Sequence, residues 1–507
     1  MLRSLKISFR DSLVYSLGNI AVKIVGLILI PLYTNPRYFS VDDFGILGVL
    51  EISSLLLTAF MASALPQSLT RWYWDKDHRG DQKGLFFMSL AVQLVVSAAF
   101  CIGLIPASGF LSELIFSGRE LENVIKLVIA ASALQSINNI INTLLRLQSR
   151  SVLYSSVNLI KLALVLSLTL YFIISRGMGL EGIFLAQVAG NIAYILMLTV
   201  YTVKNCRIFF DFTILRSMSS YGFPLLLANI SSAALTVIDR YALNSLTVLK
   251  SVALYTLAFK ITSVLKLVVA DSIKLAIGPI MFKWMDRPDN KRFYSKVMLY
   301  SSFVLMTGVV GISLFSYEVI KVLANSNQFW PAVAIIPILS LSVFFGNMKD
   351  ISVYGLHFTK KTGIISIIIV FTTILSLCLN LLLIPLYDIT GAALATLLSQ
   401  AVYWLACYYF AQKAFYIPYE KTKLAILFVA GTALSFLGLS LNGMELLPRL
   451  LIKTIILLGF PFILYPAGFY ERAEIEAIKG FVRKWGSPSK FLENLKSLKE
   501  ITGENPE

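Results

Sequence analysis

Long apolar segments recur along the whole chain, and short polar segments separate them. Each apolar segment is about 20 residues long, which is the length a helix needs to cross a bilayer. We place about fourteen such spans. They begin near Ser12, Phe44, Gly84, Leu121, Leu153, Ile183, Ser219, Ser251, Tyr294, Pro331, Gly363, Gly391, Lys423 and Arg449. The pattern therefore predicts an all-α polytopic membrane protein.

The composition leaves little room for a soluble catalytic domain. Of the 507 residues, 57% are hydrophobic and only 14% are charged, which is far outside the range of soluble globular proteins. The four cysteines are scattered without a Cys-x-x-Cys pair, which argues against a disulfide framework and against a metal site. No segment resembles a P-loop. We therefore expect a protein that is not an enzyme, with no catalytic residues, no metal and no cofactor.

The net charge of +16 reflects membrane topology rather than nucleic-acid binding. With the N-terminus inside, the cytoplasmic segments hold about 29 of the cations, the external loops about 6 and the spans about 9. This asymmetry predicts that both termini lie in the cytoplasm. The first span carries Lys23 and lacks a small-residue cleavage site, so we expect it to be a retained helix and not a signal peptide.

An internal repeat divides the chain. Four short segments of the first half match segments of the second half at offsets of 206 to 209 residues. The pairs are 15–18 with 221–224, 44–47 with 252–255, 114–116 with 321–323, and 182–186 with 391–395. An even number of helices per unit gives both units the same orientation, so we expect two lobes related by an axis along the membrane normal.

The predicted organisation follows from this repeat. Residues 1–217 form an N-terminal six-helix lobe and residues 218–413 a C-terminal six-helix lobe. Residues 414–470 form an extra transmembrane hairpin without a counterpart in the repeat. Residues 471–507 form a charged cytoplasmic tail.

Several stretches are similar to a known family, the Wzx-type polysaccharide flippases of the multidrug/oligosaccharidyl-lipid/polysaccharide exporter superfamily. The stretches are Pro224 with 239–241 and 252–260, then 41–45, 67–73, and Asn380 with 384–387 and 391–393. The resemblance extends to about Lys413 and implies two helical bundles around a V-shaped cavity. The fourteen-helix count also resembles the lipid II flippases.

The resemblance also implies a function. A member of this family moves a polyprenyl-pyrophosphate-linked oligosaccharide, the precursor of an O-antigen or a capsule, across the bacterial cytoplasmic (inner) membrane by alternating access. It implies membrane lipids, a polysaccharide polymerase and a chain-length regulator as partners, and Na⁺ or H⁺ as a coupling ion if there is one. An ion-coupled multidrug exporter and a lipid II flippase are the alternatives.

The cations inside the spans are the candidate site residues, because a charge that faces lipid is costly. Lys23 and Lys260 lie near the middle of their spans. Lys161 and Lys266 lie nearer the cytoplasmic side, so snorkelling to that surface is the alternative to a cavity role for these two. Polar side chains accompany them at helical spacing. The predicted substrate-binding set is Asn19, Lys23, Glu51, Asn138, Asn142, Lys161, Asn229, Arg240, Lys260 and Lys266.

Other intramembrane charges receive a structural interpretation. Lys126, Lys274, Lys349 and Lys453 lie near span ends, where we expect them to snorkel to the surface. Asp239 and Asp271 are expected to pair with neighbouring cations, and binding of a coupling ion is the alternative for each. A net positive, lipid-free vault would attract a pyrophosphate, because charges interact strongly where water is scarce. Lys23 and Lys260 match cavity arginines of the lipid II flippases by helix and depth, whereas Glu51 departs from them, which disfavours lipid II itself.

The cation asymmetry generates a test of topology. A single cysteine at Lys291 should resist a membrane-impermeant maleimide in intact cells, because the loop is predicted to be cytoplasmic. A cysteine at Asn327 should react. Reaction at Lys291 from outside would overturn the predicted orientation.

Overall fold

The computed structural model describes residues 26–75, 81–285, 287–471 and 475–476. Within these ranges the chain is helical and contains no strand, which confirms the all-α fold class. Most of the first predicted span, with Asn19 and Lys23, lies outside the described residues. So does most of the predicted tail.

The described residues of the first half form eight helices. They are α1 (Ile30–Tyr33), α2 (Val41–Met61), α3 (Leu65–Trp72), α4 (Gln82–Leu104), α5 (Ser108–Phe116), α6 (Glu122–Leu147), α7 (Ser151–Leu170) and α8 (Gly179–Lys204). A π-helical segment, Tyr171–Ser175, extends α7. We call α2 to α8 the N-lobe.

The described residues of the second half and the hairpin form nine helices. They are α9 (Phe212–Leu246), α10 (Leu249–Lys283), α11 (Asn290–Leu314), α12 (Ser316–Leu323), α13 (Ile336–Ser352), α14 (Tyr354–Phe358), α15 (Thr362–Ala414), α16 (Lys421–Ser440) and α17 (Leu446–Ile463). A 3₁₀ segment, Asn327–Ile335, precedes α13, and α10 contains a π-helical segment, Lys266–Ala270. We call α9 to α15 the C-lobe and α16 with α17 the hairpin.

Twelve helical segments of the described chain are long and apolar enough to cross a membrane. One of them, α15, is 53 residues long and contains a non-helical residue, Asp388 (φ 49°, ψ −128°). This residue divides α15 into two spans, so the described chain holds thirteen. The first predicted span, outside the described residues, would bring the number to the predicted fourteen.

The repeat found in the sequence is visible in the order of the helices. In each lobe a long helix is followed by a short one, α4 by α5 and α11 by α12. The segments matched at 182–186 and 391–395 lie near the start of α8 and just after the break at Asp388. The lobes are therefore built alike, and the exact boundaries at 217 and 413 stay a prediction.

An apolar core seals the two lobes against each other where α2 and α10 begin, which is the predicted external end. The Phe44 and Phe329 rings pack edge to face with centroids 5.4 Å apart. Two glycines let the helices approach: a Cβ on Gly45 would overlap the Leu249 carbonyl oxygen, and a Cβ on Gly48 would overlap the Thr256 hydroxyl. The sequence in α2 thus permits a backbone-to-backbone seam between the lobes.

The hairpin is fixed to the C-lobe by a buried charge cluster. Lys453 on α17 is 0% exposed and donates to both carboxylate oxygens of Glu318 on α12, at 2.9 and 2.8 Å. The Arg449 Nε lies 2.7 Å from the same carboxylate, and Asn442 accepts a hydrogen bond from Lys453. The prediction that Lys453 snorkels to the surface is therefore wrong, because its ammonium has an internal counter-ion.

A second cluster fixes the opposite end of the hairpin. Glu420, just before α16, lies 2.9 Å from Lys296 on α11 and 2.7 Å from Lys423. Burial alone would raise the pKa of the Glu420 carboxyl, but hydrogen bonds from Lys423 and Lys296 outweigh burial and lower it. The hairpin is thus held to α11 at one end and to α12 at the other.

Removing the Lys453 ammonium should destabilise the protein. Lys453→Met should cost about 3 kcal/mol of unfolding free energy, because Glu318 and Asn442 lose a buried partner. Thermal unfolding of the purified protein in detergent measures the loss. Lys126→Met is the matched control: its pair with Glu122 is solvent-exposed, so it should leave thermal unfolding close to that of the wild type. Equal stability of both variants would contradict the role given to the cluster.

Crowding the glycine seam should open the lobes. Gly48→Val should disfavour the conformation described here by about 1–3 kcal/mol, because the new methyl groups meet Thr256. Spin labels at the exposed Asp42 and Lys250, in a cysteine-free background, should report a larger population at long distance. Gly103→Val, where nothing lies within 4 Å of the added atom, is the control. An unchanged distance distribution in Gly48→Val would refute the seam.

Candidate functional site

An ion pair joins the lobes in the membrane interior. The Lys260 ammonium on α10 lies 2.9 Å from a Glu51 carboxylate oxygen on α2. The Phe44 and Tyr33 rings lie 5.5 and 5.9 Å from the same ammonium. The structure thus brings together two predicted site residues that are 209 positions apart in the sequence. In this conformation Glu51 is the counter-ion of Lys260.

Arg240 is also neutralised, by the residue beside it. Its Nε lies 3.6 Å from the Asp239 carboxylate, and its Nη2 donates to the Thr236 carbonyl oxygen at 2.9 Å. The guanidinium lies over the Phe259 ring, 4.2 Å from the centroid. The Tyr255 hydroxyl donates to Asp239. The expected pairing of Asp239 is confirmed, and Arg240 is buried by it rather than open to a ligand in this conformation.

The N-lobe contains a cation with a different environment. Lys161 on α7 donates to the amide oxygens of Gln135 on α6, at 2.8 Å, and Asn191 on α8. Its ammonium lies 5.6 Å from the centroid of the Tyr194 ring. Within the described residues, no carboxylate lies within ion-pair distance of Lys161. A positive charge on Lys161 is therefore not balanced by a carboxylate of the described residues.

Other amides continue this polar environment along α6. Asn138 donates to Asn191 at 2.9 Å. Asn142 accepts from the Tyr194 hydroxyl at 2.6 Å and from Asn158 at 3.3 Å. The predicted residues Asn138 and Lys161 thus share Asn191 as a hydrogen-bond partner, and Asn142 bonds to Tyr194, whose ring lies beside the Lys161 ammonium. Sequence analysis missed Tyr194, because a tyrosine in an apolar helix carries no signal of its partner.

The C-lobe encloses a polar cavity of about 190 Å³ between α9, α10, α13 and α15. The predicted residue Lys266 lines it, as does Asp271, whereas Asn229 lies partly exposed on α9 one turn before the cavity. The other polar lining residues are Ser232, Thr236, Asp239, Thr262, Ser263, Ser342, Asn347, Lys349, Asp350, Thr396, Gln400 and Tyr403.

A carboxylate that sequence analysis missed organises one wall of this cavity. Asp350 pairs with Lys349 at 2.5 Å and with Lys274 at 3.5 Å. The expectation that Lys349 snorkels is wrong, because its charge is neutralised inside the lobe. Lys274 remains half-exposed and reaches the same carboxylate.

The charges of the two lobes therefore differ. Around Lys161 the described side chains are uncharged amides and aromatic rings, so the N-lobe cluster is positive. The C-lobe cavity lining has two lysines and three aspartates, and Arg240 and Lys274, which lie outside the lining, pair with two of these aspartates. The charges of the C-lobe cavity are thus largely paired, and the net positive vault stays a prediction.

The fold resembles solved transporters. The lipid II flippase MurJ, in an inward closed conformation, superposes with a TM-score of 0.73 at 14% identity, covering 90% of this chain and all of MurJ. An inward-facing MATE family multidrug resistance transporter of the MOP superfamily gives 0.65 at 13% identity, covering 82% of this chain and 95% of that one. At these identities the likeness establishes the fold alone.

A third solved structure is a MOP superfamily transporter from Pyrococcus furiosus, described as having a binding pocket of reversed polarity. It gives a TM-score of 0.53 at 15% identity and covers 83% of this chain and 96% of that one. Among curated proteins, an uncharacterised membrane protein of Methanocaldococcus jannaschii is 24% identical over 229 residues. That match spans 44% of this chain and 45% of the relative, so less than half of either protein.

The family is established by a match to the whole N-lobe and the start of the C-lobe. The model of the polysaccharide biosynthesis proteins matches residues 8–285, which is more than half of the chain. This stretch contains Glu51, Lys161, Arg240, Lys260 and Lys266. The chain therefore belongs to the polysaccharide biosynthesis protein family.

Proposed function

We propose that this protein is a flippase that moves a polyprenyl-pyrophosphate-linked oligosaccharide across a bacterial cytoplasmic membrane. Family and fold support a flippase or transporter, and the lobes support alternating access. The observation that supports an anionic substrate is the environment of Lys161. Neutral amide oxygens hold its ammonium inside the membrane-spanning region.

Lys161 has amide oxygens, and no carboxylate of the described residues, around its ammonium. A cation surrounded by neutral groups in a poorly hydrated site is costly, and an incoming anion removes that cost. Lysine provides a mobile point charge with three donors, so it can release the anion again. The amides around Lys161 also suit sugar hydroxyls, because they both donate and accept hydrogen bonds.

Lys260 offers a second contact to the same anion. Glu51 is its present partner, and a diphosphate carries more negative charge than a carboxylate. We propose that the diphosphate displaces Glu51 from Lys260. Because this ion pair joins α2 to α10, its exchange would weaken the contact between the lobes when substrate is present, which couples binding to lobe separation.

Several further assignments belong to the same proposal. Both termini are cytoplasmic and the membrane is the inner membrane. A polysaccharide polymerase and a chain-length regulator are the proposed partners, and Na⁺ or H⁺ is the proposed coupling ion. Transport involves no covalent change of the substrate, so no residue has a catalytic role.

An ion-coupled multidrug exporter is the second candidate, and one observation favours it. The C-lobe cavity has three aspartates against two lysines, which suits a cationic compound. Its volume of about 190 Å³ argues against this candidate, because pockets for drug-sized ligands measure roughly 300–1,000 Å³.

The test compares two ligands on three variants. In nanodiscs, Lys161→Met should weaken binding of a polyprenyl diphosphate-linked disaccharide by about tenfold or more, which is the loss of one charged hydrogen bond. Glu51→Gln should strengthen it, because Lys260 loses its competitor. Lys126→Met, remote from the cluster, should change nothing. In proteoliposomes, the rate of lipid flipping should rank the three variants in the same order as their binding affinity.

The rival candidate gives the opposite pattern. A multidrug exporter should bind ethidium, and removing the positive charge of Lys161 should leave that binding equal or tighter. Ethidium binding together with an unchanged affinity of Lys161→Met for the lipid-linked disaccharide would refute the flippase proposal.

A further inference from the structure

A groove separates the surface of α3 from the start of α9, and neither Lys161 nor Lys260 lines it. Its volume is about 470 Å³, within the range of roughly 300–1,000 Å³ that is typical of ligand pockets. It lies at the end of α2 opposite the apolar seal, which is the predicted cytoplasmic face of the membrane. The side chains that line this α3/α9 groove are Arg71, Trp72, Arg216, Ser217, Ser220 and Tyr221.

The lining of the α3/α9 groove is rich in hydrogen-bond donors. Its guanidinium, indole, hydroxyl and phenol groups can all donate, and no carboxylate is among the lining residues. In the described part of the chain, neither Arg71 nor Arg216 forms an ion pair. The ligand that such a lining selects is an anion with several acceptor oxygens, such as a phosphate group.

Aromatic rings hold Arg71 in position. Its guanidinium carbon lies 4.6 Å from the centroid of the Tyr221 ring and 5.3 Å from that of the Trp72 ring. The two rings pack edge to face, with centroids 5.5 Å apart. A guanidinium over a ring keeps N–H groups at its edge for a bidentate contact with a phosphate. Arg71 therefore loses little conformational freedom when it binds an anion.

Close packing joins the two helices that carry the arginines. The Ser68 hydroxyl on α3 donates to the Met218 carbonyl oxygen on α9 at 2.9 Å, and both residues are buried. A Cβ on Gly222 would come within 2.9 Å of the Ser68 hydroxyl oxygen. The backbone positions of Arg71 and Arg216 are therefore fixed relative to each other before a ligand binds.

The face of α9 that carries Arg216 continues with an apolar ring. Ser220 and Phe223 follow Arg216 at spacings of four and seven residues, so the three side chains share one face of the helix. Phe223 is 62% exposed and lies about 10 Å along the helix from Arg216. A ligand that contacts both needs an anionic group at one end and an apolar chain at the other. A phospholipid has this form, whereas a soluble phosphate would leave Phe223 uncovered.

We propose that the α3/α9 groove binds an anionic phospholipid of the inner leaflet. Arg71 and Arg216 bind the phosphate, Ser220 donates a hydrogen bond to the headgroup, and an acyl chain covers Phe223. Because Arg71 belongs to the N-lobe and Arg216 to the first helix of the C-lobe, the lipid bridges the two lobes. This inference does not depend on which substrate the protein transports.

Competitive photo-crosslinking in detergent micelles tests the site. The probe is phosphatidylglycerol with a photoreactive diazirine in one acyl chain, and crosslinks of the wild type should map to α9 close to Phe223. Unlabelled phosphatidylglycerol should displace the probe there about tenfold or more effectively than phosphatidylcholine, because its headgroup has a net negative charge.

Two variants and one control locate the headgroup. Arg71→Gln and Arg216→Gln should each bring the preference for phosphatidylglycerol close to one, because each removes a charged hydrogen bond worth about tenfold in affinity. Arg287→Gln is the matched control. Arg287 is also exposed and stacked on a tryptophan, 4.4 Å from the Trp284 centroid, but it does not line the groove. It should keep the preference. The ratio is measured within each variant, so a smaller folded fraction does not change it.

Three results would overturn the lipid site. The first is an undiminished preference for phosphatidylglycerol in both arginine variants. The second is displacement of the probe by millimolar inorganic phosphate, because the groove would then take a soluble anion. The third is displacement by polyprenyl diphosphate more effectively than by phosphatidylglycerol, because the groove would then belong to the path of the transported lipid. The first two results leave the flippase proposal standing, and the third would strengthen it.

Discussion

A charge inside a bilayer needs a partner, and this constraint organises the protein. Lys260 pairs with Glu51, Arg240 with Asp239, Lys349 with Asp350, and Lys453 with Glu318. Each pair replaces the water that the hydrocarbon does not supply. Lys161 is different because only amide oxygens and an aromatic ring neighbour it among the described residues. An anionic ligand would therefore gain more binding free energy beside Lys161 than beside a lysine that is already paired.

The pairs differ in what they join. The Lys453–Glu318 pair attaches the hairpin to the C-lobe, and the Arg240–Asp239 pair lies within one helix, so both are compatible with lobes that move as rigid bodies. The Lys260–Glu51 pair joins α2 to α10 beside the glycine seam. It is the charged contact between the lobes whose exchange for a substrate anion would change the conformational equilibrium.

Local patterns in the sequence predicted the helices, the repeat and the polar stripes, because these depend on neighbours at fixed spacing. The counter-ions were not predictable in the same way. Glu318 lies 135 residues from Lys453, and Glu51 lies 209 residues from Lys260. A lysine near a span end has the same sequence signal whether it snorkels or pairs internally. The packing of helices that are distant in the sequence decides whether such a lysine snorkels or pairs internally. Local sequence patterns do not reveal this packing.

The most direct test is a structure of the protein with a polyprenyl diphosphate-linked oligosaccharide bound. The account predicts diphosphate density within hydrogen-bonding distance, about 3 Å, of the Lys161 or Lys260 ammonium. It also predicts that the Glu51–Lys260 contact, 2.9 Å in the present conformation, is broken. A diphosphate bound elsewhere, with this ion pair intact and Lys161 still held only by its amides, would contradict the account.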